Sequence, residues 1–155
     1  MSDIPPSSPT PAGTRAAMSG LEYFQRLAAG EFPLPEMVRL AGLRLTEVGV
    51  GRIVFCGRAE RRYYNGLGVA HGGWTATLLD SALACAINTA QPPGRIFTTL
   101  ELKINYTRPI TEAVGEVRCE ATVLHVGSRT ATAEARVVDD AGRLYAHATT
   151  TCIVV

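Results

Sequence analysis

Apolar positions along the chain change period twice. Leu21, Phe24, Leu27 and Ala28 fall at helical spacing over residues 21–29, and Gly30 closes the run. Pro33 and Pro35 mark a loop, with a short turn expected around 37–40. The period then becomes two. Ile53 and Phe55 alternate with Val54 and Cys56, which predicts a strand apolar on both faces. Over 98–106, Leu100, Leu102, Ile104 and Tyr106 are expected on one face, with Thr99, Glu101, Lys103 and Asn105 on the other. The alternation recurs over 117–123 and 131–137, and a last strand is expected over about 144–154. Gly127-Ser128 and residues 139–142 read as turns, so these strands are hairpin-linked and antiparallel. One stretch breaks the β series. Residues 73–90 carry Trp74, Leu78, Leu79, Leu83 and Ile87 among alanines, apolar on nearly every face. Such a helix is buried on most sides, and Pro92-Pro93-Gly94 ends it. The plan is a short helix, one or two strands, one long buried helix, then four strands. It describes an α+β domain whose curved antiparallel sheet of five to six strands wraps a central helix.

Ahead of this domain, residues 1–19 hold four prolines in the first eleven positions and read as a disordered Pro/Ser/Thr-rich tail, leaving 20–155 as one domain. A chain of 155 residues can bury a real core. With 15 Lys+Arg against 14 Asp+Glu, it has no broad field for nucleic acid or anionic lipid, so neither is expected as a partner. No apolar leader is visible, and the apolar run around 78–87 is interrupted by Asp80 and Ser81, too short and polar for a bilayer. Cys56, Cys85, Cys119 and Cys152 lie 29 to 34 residues apart with no CxxC pair. Structural zinc is not expected; reduced thiols in a cytoplasmic chain are.

The chemistry concentrates in residues 65–80, a glycine-rich loop entering the buried helix. Unpaired N–H groups at a helix start attract a negative oxygen, and Gly72-Gly73 allows close approach to the backbone. Asp80 lies about two turns inside the helix. Its neighbours at three and four positions are Ala76, Thr77, Leu83 and Ala84, so no local cation pairs it. A carboxylate there is either bonded to a backbone group of a neighbouring strand or is a base or nucleophile tuned by burial. No metal-ligand His pair, dinucleotide fingerprint or Gly-x-Ser-x-Gly elbow occurs.

The spacing Asn65-x5-His71-Gly72-Gly73-x6-Asp80 resembles the PaaI-type acyl-CoA thioesterases of the hotdog-fold superfamily. Residues 99–110, the Gly127-Ser128-Arg129 turn and the closing hairpin extend the resemblance over about 21–155. It implies the hotdog fold and a homodimer or homotetramer with sites at the dimer interface. Asp80 matches the catalytic carboxylate, acting as base or nucleophile. Gly72 matches the residue whose N–H polarises the thioester carbonyl, and Asn65 the amide holding that carbonyl or the attacking water. His71 matches a positional histidine, and Thr99 a hydroxyl that orients water. Gly73, Ser128 and Arg129 are expected to bind substrate, Arg129 being preferred over Arg61, Arg62 and Arg108 for coenzyme A phosphates. The implied substrate is a medium-chain or aromatic acyl-CoA, with pocket walls expected from Trp74, Leu78, Phe97 and Tyr63-Tyr64. Coenzyme A is part of the substrate; no metal or cofactor is expected. A hotdog hydratase or dehydratase and a non-catalytic acyl-CoA-binding protein are the alternatives.

Overall fold

The structure, a computed structural model, describes residues 12–155. The tail expected over 1–19 lies outside the described residues as far as residue 11. Beyond it the chain already has structure: a short helix, α1 (Ala12–Ala16), buried Met18, and Ser19 capping the next helix. The proline-rich run stops at Pro11, and none follows until Pro33, so helical geometry is open to this segment.

Helix α2 (Gly20–Ala28) starts where Ser19 Oγ accepts the Glu22 N–H at 3.2 Å, and buries Phe24 and Leu27. It docks on the end of the long helix at Gly20, where a Cβ would stand 1.6 Å from the Asn88 carbonyl oxygen. Only glycine fits there. Helix α3 (Glu36–Leu40) is one turn. It is followed by β1 (Leu43–Gly49) and β2 (Arg52–Arg58), the latter buried on both faces as its alternation predicts.

The long helix α4 (Gly72–Thr89) buries Leu78, Leu79, Leu83 and Ile87 completely. Four strands follow: β3 (Phe97–Tyr106), β4 (Glu116–Val126), β5 (Thr130–Val138) and β6 (Leu144–Val154). All pairings are antiparallel, in the order β1-β2-β4-β5-β6-β3. Helix α4 packs against every strand, so the sheet wraps it. This is the α+β hotdog arrangement, with six strands. Among the described residues no helix is long and apolar enough to cross a membrane.

Two features secure the frame around α4. Asn88 Nδ2 donates to the Phe97 carbonyl while its Oδ1 accepts the Phe97 N–H, both at 2.9 Å, clamping the start of β3. At the far hairpin, Asp139 accepts from the Ala141 and Arg143 N–H groups, the Arg143 guanidinium and the Tyr145 hydroxyl. Burial alone pushes the Asp139 carboxyl up, but these bonds outweigh it and hold the group below the usual range.

Strand β3 departs from strict alternation. Thr99 pairs with Cys152 and Glu101 with Thr151, leaving Leu100 as an extra residue. Leu100 is 63% exposed and Tyr106 54%, whereas Leu102 and Ile104 pack on the core. Of the four side chains expected together on one face, the bulge separates Leu100 from the other three, and Tyr106 is exposed at the strand's end. The bulge also turns Thr99 to the same side as Leu102, three residues on, which a regular strand would put on opposite faces.

Candidate active site

The loop before α4 is closed by its own backbone. Asn65 N–H donates to the Val69 carbonyl at 2.8 Å and Gly68 N–H to the Asn65 carbonyl at 3.1 Å, with Gly68 at φ +77°. That conformation favours glycine. Asn65 Oδ1 accepts the Leu67 N–H at 2.9 Å and the Val69 N–H at 3.4 Å. The side-chain carbonyl therefore serves the loop, while the amide NH2 has no partner among the described residues and remains available as a donor.

His71 caps α4. Its Nδ1 accepts the Gly73 N–H at 2.9 Å. That bond requires Nδ1 unprotonated, so the neutral ring carries its proton on Nε2 and presents a donor outward. The adjacent glycines accommodate side chains of this protein. A Cβ on Gly73 would come within 3.1 Å of His71 Nδ1, and one on Gly72 within 3.3 Å of the Tyr106 ring. Neither glycine has positive φ. The Gly73 N–H is committed to His71, while the Gly72 N–H has no partner among the described residues. Gly72 thus supplies the free donor at the positive end of a helix.

Asp80 lies eight residues further, about 12 Å along the axis at the helical rise. It is half-buried, with no cation at ion-pair distance among the described residues. Its partner is a side-chain hydroxyl rather than a strand backbone group: Thr99 Oγ1 donates to Asp80 Oδ1 at 2.8 Å. The β3 bulge makes this contact possible. Ala76, Thr77, Asp80, Thr99 and Leu102 line an open cleft of about 330 Å³. Nearby Cys85 is pushed up to about 12 by burial and, to a lesser extent, by the Asp80 charge. Burial also raises Cys56, Cys119 and Cys152, and all four thiols are unpaired. None is poised as a thiolate nucleophile.

The chain brings Asp80 together with Thr99, and Asn65 with Gly72, but keeps the two pairs apart. Asn65 and Gly72 border a second cleft of about 340 Å³ with Thr75, Tyr106 and Arg108. His71 and Gly73 border a third, about 400 Å³, with Met37, Leu40, Tyr63 and Trp74. In this third cleft the aromatic polar atoms are satisfied by backbone, Tyr63 hydroxyl on the Leu40 carbonyl and Trp74 Nε1 on the Ala41 carbonyl. The remaining surface is mostly apolar. Leu78 and Phe97, expected as pocket walls, are instead sealed in the core, because α4 turns Leu78 toward the sheet and Asn88 clamps Phe97. Met37 and Leu40, 61% and 50% exposed, are walls that sequence reasoning missed. Their signal is an apolar pair three residues apart on a helix too short to bury both.

The arginines separate as well. Arg108 donates to the Leu144 carbonyl, Arg61 pairs with Glu112 and Arg62 with Glu60. Arg129 and Ser128 are exposed on the β4–β5 turn, and neither side chain has a partner among the described residues. Arg95 secures that turn by donating to the Gly127 and Ser128 carbonyls, both at 2.7 Å. No cluster of three or more His, Cys, Asp or Glu suited to a metal occurs among the described residues.

The chain is similar to known proteins of this fold. The thioesterase superfamily profile matches residues 67–146. A conserved protein of Pseudomonas aeruginosa is 33% identical, with a TM-score of 0.74, over 79% of this chain and 95% of its own. The phenylacetic acid degradation protein PaaI of Thermus thermophilus, solved as a mutant, is 31% identical, with a TM-score of 0.70, over 77% of this chain and 98% of its own. A protein of Halobacterium salinarum with the provisional name of an esterase is 38% identical over 78 residues, 49% of this chain. The match spans half the length of that curated relative.

Proposed function

The chain belongs to the thioesterase superfamily, and from that membership we propose that it hydrolyses an acyl-CoA thioester to the free acid and coenzyme A. The observation that carries the reading is Asp80: a half-buried carboxylate inside an apolar helix, held by one hydroxyl, unpaired with any cation among the described residues and facing an open cleft. Asp80 acts as general base. Thr99 donates to one carboxylate oxygen and keeps lone pairs that accept a hydrogen bond from the attacking water.

In the step proposed, Asp80 takes a proton as the water oxygen bonds to the thioester carbon. The carbonyl oxygen becomes negative and is met by the Gly72 N–H and the Asn65 amide. Collapse of this intermediate breaks the carbon–sulfur bond, and the proton on Asp80 passes to the departing thiolate. The thiol is a good leaving group, so no second acid is required. His71 positions the loop.

About 12 Å of helix separates Gly72 from Asp80, too far for both to serve one carbonyl carbon. We therefore assign each site to two copies, Asp80 and Thr99 from one and Asn65, His71 and Gly72 from the other, in a homodimer or a dimer of dimers. Strand β3 is an edge with one neighbour, and its backbone supports pairing with a second copy. The apolar cleft of Met37, Leu40, Tyr63 and Trp74 takes a medium-chain or aromatic acyl group. Arg129 and Ser128 meet the coenzyme A phosphates. Four unpaired thiols support a reducing compartment, the cytoplasm. A hydratase would need an imidazole base, but His71 Nδ1 is occupied by the Gly73 N–H.

Thiol release from a panel of aliphatic and aromatic acyl-CoAs tests the proposal. Wild type should release thiol, fastest from an apolar acyl group, and Asp80→Asn should not. No release from any member of the panel contradicts the reading.

A further inference from the structure

Both peptide units flanking Gly72 are held in place. The His71–Gly72 peptide is held by its carbonyl, which accepts the Trp74 N–H at 2.9 Å. The Gly72–Gly73 peptide is held at both ends: its N–H donates to His71 Nδ1 at 2.9 Å, and its carbonyl accepts the Tyr106 hydroxyl at 3.0 Å. Two of these three bonds are internal to the turn and move with it. The Tyr106 bond alone comes from another element, the end of β3. The Tyr106 ring also lies where a Gly72 Cβ would touch it.

The segment after Tyr106 supports the same loop twice more. Ala70 N–H donates to the Ile110 carbonyl at 2.8 Å, and Glu112 N–H to the Tyr64 hydroxyl. These bonds hold the loop as a body, whereas the Tyr106 hydroxyl reaches the peptide next to the free Gly72 N–H.

We infer that Tyr106 is a positioning residue for thioester hydrolysis, whose hydroxyl and ring hold Gly72 from its carbonyl side and so fix where the Gly72 N–H stands relative to the developing oxyanion. The inference rests on the thioesterase reading of Gly72. It explains why a half-exposed aromatic at a strand end carries a hydroxyl directed at a backbone carbonyl. A donor preorganised in this way stabilises the transition state more than the bound substrate, so its misalignment affects turnover rather than binding.

Tyr106→Phe tests this, because the ring stays against Gly72 and only the hydroxyl is lost. Thr46→Val is the control. It deletes another hydroxyl-to-carbonyl bond, Thr46 Oγ1 to the Val54 carbonyl at 3.2 Å, at the opposite edge of the sheet. With the best acyl-CoA of the panel, Tyr106→Phe should lower kcat on the order of tenfold with KM within about twofold. Amide exchange of Gly73, followed by NMR in the full chain without ligand, should accelerate. Thr46→Val should leave both close to wild type. Unchanged kcat in Tyr106→Phe, a raised KM with kcat retained, or an equal loss in Thr46→Val would overturn the inference. If wild type releases no thiol, the functional reading fails by itself. The exchange measurement still decides the anchoring: faster Gly73 exchange upholds it and unchanged exchange overturns it.

Discussion

The two chemical regions of helix α4 are built on opposite plans. Its first turn is over-determined: a cap from His71, a carbonyl bond from Tyr106, a closed Asn65 loop and a free Gly72 N–H. Two turns later, Asp80 rests on one hydroxyl bond from Thr99 and borders an open cleft. The difference is what the proposed roles require. Donors that meet a developing charge stabilise it most when they cannot reorganise, and a base must keep an oxygen free to take a proton. Within one chain the two regions face different clefts.

The largest effect expected on this contrast comes from removing the base. Asp80→Asn keeps an oxygen for Thr99 and leaves the helix intact, and should lower kcat on the order of a thousandfold with little change in melting temperature. Asn65→Ala should cost less, about thirtyfold in kcat, because the Gly72 N–H remains as a donor. Matched steady-state assays at saturating substrate give the order. If Asn65→Ala is the more severe, the roles of the two regions are reversed. Smallest is Thr99→Ala, about tenfold, with Thr99→Ser restoring most of the rate because it keeps the hydroxyl. Equal losses in Ala and Ser would mean that the Thr99 methyl, not its hydroxyl, supports Asp80.

The same contrast governs how much could be read in advance. Strand β5 alternates without interruption and follows its pattern, and α4 is recognisable within one residue at either end. Strand β1 was masked by a bulge between Leu45 and Glu47, which breaks its period after two apolar positions. The β3 bulge hid more: a one-residue insertion decides which face Thr99 occupies, and a period-two reading put it opposite Leu102. Thr99 entered the candidate site through resemblance to a family, and the bulge supplies the physical reason it reaches Asp80. The Gly72-Gly73 pair was legible as a helix start. That it accommodates His71 and Tyr106 was not, since Tyr106 lies 34 residues away in sequence. The apolar cleft was half legible. Tyr63 and Trp74 were expected as walls, but Met37 and Leu40 come from a helix too short for periodicity to assign a face.

The central claim is that each site takes Asp80 from one copy and Asn65 from another. Co-expressing Asp80→Asn and Asn65→Ala chains, then assaying the mixture for thiol release, tests it most directly. Random pairing makes half the dimers hybrid, each with one intact site of two, so the account predicts recovery to about a quarter of wild-type activity. A mixture no more active than the mean of its two parents would contradict it and place the whole site within one chain.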